Sequence, residues 1–106
     1  MITCDVFYRN YFGIDSPFKY QHQVWDLIHN SELPILLRAP TGSGKTEAVL
    51  APFLAQFLEK KFPIAPRLIY VLPMRVLVNN IAKRIERYAK NISKNISVKV
   101  QNVLNL

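Results

Sequence analysis

Apolar residues recur at helical spacing in three stretches of this chain, fall in short runs in two others and alternate with polar ones in a sixth. Val24, Leu27 and Ile28 stand at i, i+3 and i+4, which predicts a helix over 18–30, capped by Ser16 with Pro17 in its first turn. Val49, Leu50, Phe53, Leu54, Phe57 and Leu58 make one broad apolar face, which predicts a second helix over 46–61. Pro52 sits inside it and predicts a kink, because proline removes a backbone donor and crowds the preceding turn. A third helix over 76–89 turns Leu77, Ile81, Ile85 and Tyr88 inward and Lys83, Arg84, Arg87 and Lys90 outward. The runs 33–37 and 67–72 read as buried strands, with Pro73 ending the second, and 96–100 is a third strand candidate. Strands alternating with helices predict an α/β fold with a parallel sheet and right-handed crossovers. Residues 1–17 form an aromatic lead-in (Phe7, Tyr8, Tyr11, Phe12) expected to pack on the body, and 18–106 form the α/β part.

Between the first predicted strand and the second helix runs Ala39-Pro40-Thr41-Gly42-Ser43-Gly44-Lys45-Thr46, holding two of the chain's three glycines. A glycine-bearing loop in that setting has the chemistry of a phosphate cradle. Gly42 and Gly44 let backbone amides turn inward unobstructed, and the helix start adds the positive end of its dipole. Lys45 would reach the outer phosphates of ATP as a point charge, and Thr46 would offer its hydroxyl to Mg²⁺. Glu47 follows in the first helical turn, where the dipole favours a carboxylate whether or not it acts as a base.

Charge changes this picture in one half of the chain. Residues 1–66 hold six basic and six acidic groups; residues 67–106 hold eight basic groups against Glu86 alone, so the net +7 lies in the second half. Such a half suits an anionic polymer and equally suits a solvated helix face. The longest apolar runs, such as 34–37 and 68–74, fall far short of the ~20 residues that cross a bilayer, so no membrane partner is expected. The first twelve residues do not read as a signal peptide. A single cysteine, Cys4, excludes an internal disulfide and fits a reducing, cytoplasmic setting. His22 and His29 lie seven apart on the first helix without a carboxylate cluster, which favours surface roles over metal binding. Trp25 and the lead-in aromatics read as packing rather than as a base-stacking platform.

The loop variant A-x-x-G-x-G-K-T resembles that of superfamily 2 helicases, and its neighbours extend the likeness. PFKYQHQVWDLI resembles their adenine-reading segment, with Gln21 in the reading position and Gln23 as its rival. YVLPMRVLVNNIAKRI resembles the P-T-x-x-L-x-x-Q segment laid along a single strand: Pro73, Arg75 and Leu77 match, while Met74 and Asn80 replace the usual threonine and glutamine. Over about residues 7–90 the chain looks most like the helicase of type I CRISPR systems. The resemblance implies a three-layer RecA-like P-loop domain, incomplete here, with ATP and Mg²⁺ as cofactors. It also implies single-stranded DNA as a partner through Pro73, Arg75 and Arg84, with the rest of a helicase or a CRISPR effector complex as protein partners.

The chain departs from that family in two respects. No two acidic residues are adjacent, so the acidic box that holds Mg²⁺ and the attacking water is missing, and no His-Asp pair marks the family's nuclease. The expectation is therefore an ATP-binding N-terminal piece of a helicase, truncated before the acidic box, with little turnover of its own. A non-catalytic binding module or decoy derived from such a helicase is the alternative. A P-loop kinase piece is a third reading, against which the Gln21 and PMRVL segments argue. A bare central strand and wide apolar helix faces further predict a marginal chain that is ordered by a partner supplying strands.

Overall fold

The structure is a computed structural model that describes residues 2–32, 36–39, 42–58, 64, 67–72 and 78–100. The chain divides into two units, Met1–Leu68 and Ile69–Leu106. The first unit begins with a short helix, α1 (Cys4–Phe7), capped by the Thr3 hydroxyl, which accepts from the Val6 amide at 3.3 Å. A π-helical turn, Tyr8–Phe12, continues it until Gly13, at φ 69°, reverses the chain. The wide turn lets several rings converge. Phe7 lies within 5.6 Å of Tyr11, Phe12 and Trp25, and Phe7 and Tyr8 are fully buried. The lead-in thus forms part of the core, as its aromatic content predicts.

Helix α2 (Lys19–His29) opens later than the sequence suggests. Ser16 does not cap it; Phe18 is the N-cap residue, and its amide donates to Gln21 Oε1 at 2.8 Å. The N3 side chain thereby reaches back to the N-cap amide, the half of a capping box that a residue without a side-chain acceptor at the N-cap still permits. The helix ends without glycine. Ser31 takes φ 59°, its amide bonds the Ile28 carbonyl at 3.0 Å, and the Glu32 amide bonds the Leu27 carbonyl at 2.9 Å. That pair of bonds satisfies carbonyls the helix leaves open and offsets the strain of a left-handed serine.

Helix α3 (Lys45–Ala55) packs against α2 and α1. It is shorter than the expected 46–61. After Ala55 the bonds tighten to i→i−3, Phe57 to Leu54 at 3.1 Å and Leu58 to Ala55 at 3.0 Å, the pattern by which helices end. Pro52 is accommodated within it and buried. Its buried side also differs from expectation: Ala48, Leu50, Ala51, Leu54 and Ala55 are buried, whereas Val49 and Phe53 are half-buried and Phe57 is exposed. Alanines let the backbones approach closely, so the small-residue stripe lies inside and Phe53 stacks edge-on with Phe57.

In the second unit, α4 (Val78–Lys90) is the one helix among the described residues. Ile81, Ile85 and Tyr88 are half-buried, and Ala89 is the one described residue of this unit that is fully buried. Arg84, expected outward, is half-buried. Of the three predicted strands, residues 33–35 of the first lie outside the described residues, and no sheet forms among the described ones. Among the described residues, 36–38, 67–72 and 96–100 pair with no other strand. Leu36, Ile69 and Val71 are more than four-fifths exposed, since an extended segment becomes a strand only when a neighbour takes up its amides and carbonyls. No helix among the described residues is long and apolar enough to cross a membrane.

Candidate functional site

Between the two longest helices of the first unit lies the glycine loop. Gly42 and Gly44 have φ 80° and 82°, a left-handed backbone that side-chain-bearing residues resist. Gly44 is also the N-cap of α3, and a Cβ there would come within 2.5 Å of Gln21 Nε2. Gly42 has open space where its Cβ would stand. A left-handed Gly44 followed by helical Lys45 forms a nest, in which successive amides face one concavity suited to an anion. Lys45 opens the helix, half-buried and without an ion pair among the described residues. These residues fit a phosphate group. Pro40 and Thr41 lie outside the described residues; Ala39 is half-buried at the loop's entry.

The loop is fastened to α2 by two side chains. Gln21 is 1 % exposed; its Nε2 donates to the Gly44 carbonyl at 3.0 Å while its Oε1 holds the Phe18 amide. The Tyr20 hydroxyl donates to the Ser43 carbonyl. Gln23, the rival for adenine, is exposed on another side of α2. Sequence reading missed Tyr20 altogether, since nothing local marks a hydroxyl that meets its partner 23 residues away. Thr46 and Glu47 are both 7 % exposed, so the hydroxyl expected to meet Mg²⁺ is more enclosed than a loop residue would be.

Burial, assisted by Cys4, Tyr20 and Glu47, pushes the Tyr8 phenol well above its ordinary range, and the Tyr8 hydroxyl has no hydrogen-bond partner among the described residues. Burial, then Asp5 and Asp26, pushes the Cys4 thiol up to about 12, which makes it an inert packing residue at neutral pH. The histidines have structural partners: His22 Nε2 lies 3.1 Å from Asp5, and His29 stacks on Trp25 with Nδ1 2.9 Å from the Trp25 carbonyl. Among the described residues no His, Cys, Asp and Glu group is arranged to hold a metal.

The second candidate segment is only partly described. Pro73, Met74, Arg75 and Leu77 lie outside the described residues. Asn80, Lys83, Arg87 and Lys90 are exposed on α4; Lys90 pairs with Glu86 at 2.9 Å, and Arg87 lies 6.0 Å from the Tyr88 ring.

Residues 18–105 match the DEAD/DEAH box helicase family. The chain belongs to that family. Among curated members and relatives, it is 43% identical over 72 residues to the CRISPR-associated helicase Cas3 of Thermoproteus tenax, covering 68% of this chain and 12% of that protein. It is 37% identical over 92 residues to the CRISPR-associated nuclease/helicase Cas3 of Streptococcus thermophilus, covering 85% and 10%. It is also 37% identical over 68 residues to the ATP-dependent RNA helicase SrmB of Haemophilus influenzae, covering 62% and 16%. This DEAD/DEAH box chain therefore spans about a tenth of the length of the CRISPR-associated helicases it matches. No solved structure matches it.

Proposed function

We propose that the chain is the nucleotide-binding front of a CRISPR-associated-type helicase motor, taking ATP with Mg²⁺ on residues 39–46. The observation that carries this reading is the loop itself. Two left-handed glycines lead into the start of α3, beside a lysine with no competing carboxylate bonded to it among the described residues. Bound Mg·ATP would supply an electrophilic γ-phosphoryl group. This chain's part is to present amides and Lys45 to the phosphates, Thr46 to the metal, and the remaining donor and acceptor of Gln21 to adenine. The exposed basic residues of α4, with Arg84 and the segment holding Pro73 and Arg75, would lie along a single strand of DNA.

The three-layer RecA-like architecture with a parallel sheet belongs to this proposal as well. Family membership supports it, and so do Leu36, Ile69 and Val71, apolar residues standing exposed where its strands would run. Partner strands would cover them, from the remainder of a helicase or from an effector complex. The sequence has no adjacent acidic pair, so the chain is proposed to bind nucleotide without turning it over at an ordinary enzymatic rate.

Calorimetry with Mg·ADP tests the reading: the chain binds, and Lys45→Ala abolishes binding. Equal affinity in that variant would remove the phosphate-loop assignment. Turnover near ~1 s⁻¹ that disappears in Lys45→Ala would instead show a complete motor site.

A further inference from the structure

Tyr20 is absorbed by neither the phosphate reading nor the adenine reading, yet it reaches the centre of the loop. Its hydroxyl donates to the Ser43 carbonyl, and its ring lies stacked with Phe18 at 6.3 Å and 13°. The Ser43 carbonyl and the Gly44 amide belong to one planar trans peptide, so they point in opposite directions. A carbonyl held toward α2 therefore sends the Gly44 amide away from α2. The next peptide is held differently. The Gly44 carbonyl accepts from Ala48 within the helix at 3.0 Å and from Gln21 at 3.0 Å, so the Lys45 amide is set by the helix even without a side-chain clasp. The Ser43–Gly44 peptide has no helix to orient it. Glycine at φ 82° on its far side can also adopt the flipped conformation.

We infer that Tyr20 is a positioning residue of the phosphate loop: its hydroxyl locks the Ser43–Gly44 peptide with the Gly44 amide facing the bound diphosphate. This rests on the phosphate-loop reading and adds to it a residue outside the loop motif. A flipped peptide would present the Ser43 carbonyl oxygen, an acceptor, to an anion. The clasp thus decides between a donor and an acceptor at that point of the cradle. Its action is on the phosphates and not on the base.

The test uses the full chain and the variant Tyr20→Phe, which keeps the ring and its stacking on Phe18. Calorimetry is done with Mg·ADP and with pyrophosphate, beside Lys45→Ala. Loss of one positioning hydrogen bond is expected to weaken both ligands by the same factor, roughly fivefold. Unchanged affinity for both, with binding lost in Lys45→Ala, overturns the clasp and leaves the loop reading standing. Weaker ADP with unchanged pyrophosphate also overturns it, because the effect would then lie at the base. A wild-type chain that binds neither ligand overturns the loop reading and the clasp with it. A second measurement does not depend on the variant folding. Pyrophosphate added to the unaltered chain should shift the Gly44 amide resonance well beyond that of Gly13, and a Gly44 resonance that stays in place overturns the proposal.

Discussion

The two units of this chain give their proposed functional surfaces unequal support. In the first, Phe7, Tyr8, Trp25, Leu50 and Leu54 are buried under three helices, and the glycine loop hangs from that core by Tyr20 and Gln21. In the second, a basic amphipathic helix has Ala89 as its one fully buried described residue, and Ile69 and Val71 stand exposed. The difference follows from what each surface needs. A phosphate cradle requires amides fixed to fractions of an ångström, and fixing them takes packed, hydrogen-bonded neighbours. The strand-tracking face proposed for α4 needs positive charge at roughly the right spacing, which calls for little packing beneath it.

The largest expected effect breaks or sustains this contrast directly. Leu54→Ala, at a site 1 % exposed, should cost about 2–5 kcal/mol in a denaturant melt. Ile85→Ala, at a half-buried site, should cost about 1 kcal/mol or less, and equal losses would show that the second unit has a core of its own. Next comes the loop's dependence on its fastening. Gly44→Ala meets both a left-handed φ and the buried Gln21 amide, so a loss of about 1–3 kcal/mol is expected. Gly42→Ala meets open space and only the backbone strain, so the smaller of the two losses should be its own.

Alkaline titration probes the same core. The Cys4 thiol ionises near 9.0 in the unfolded chain and is held protonated to about 12 in the folded one. Between those values the unfolded state has fewer protons bound, so stability, full below pH 9, falls as pH rises toward 12. Tyr8 shifts in the same direction and adds to the fall at the upper end. Cys4→Ala should flatten the lower part of that limb in melts recorded at stepped pH; an unchanged limb would assign it elsewhere. The smallest effect is a gain. Removing the unpartnered, buried hydroxyl with Tyr8→Phe should stabilise the first unit by about 1 kcal/mol, and a loss of that size would mean the hydroxyl has found a partner, such as water.

Much of the site was legible in the sequence because its chemistry is local. Gly42, Gly44, Lys45 and Thr46 lie within five consecutive residues, and backbone freedom, charge and hydroxyl are properties of those residues themselves. The helices were legible too, since Val24, Leu27 and Ile28 or Ile81 and Ile85 state their period along the chain. Helix ends were less so: α2 begins where Gln21 reaches back to the Phe18 amide, and α3 ends where its bonds tighten after Ala55. The stretches read as strands are short, and their pattern names no neighbour, because pairing is a property of two segments.

The sequence by itself determined the glycines, lysine and threonine of the loop, the basic second half and the helical periods, because each is written in consecutive residues. Only the tertiary structure decided which side of α3 is buried. The choice between the alanine stripe and the phenylalanines rests on how closely α2 and α1 approach. Only the tertiary structure, too, brought Tyr20 and Gln21 onto the carbonyls of Ser43 and Gly44. That contact closes a gap of 23 residues and exists once α2 and α3 have packed, so no local pattern records it.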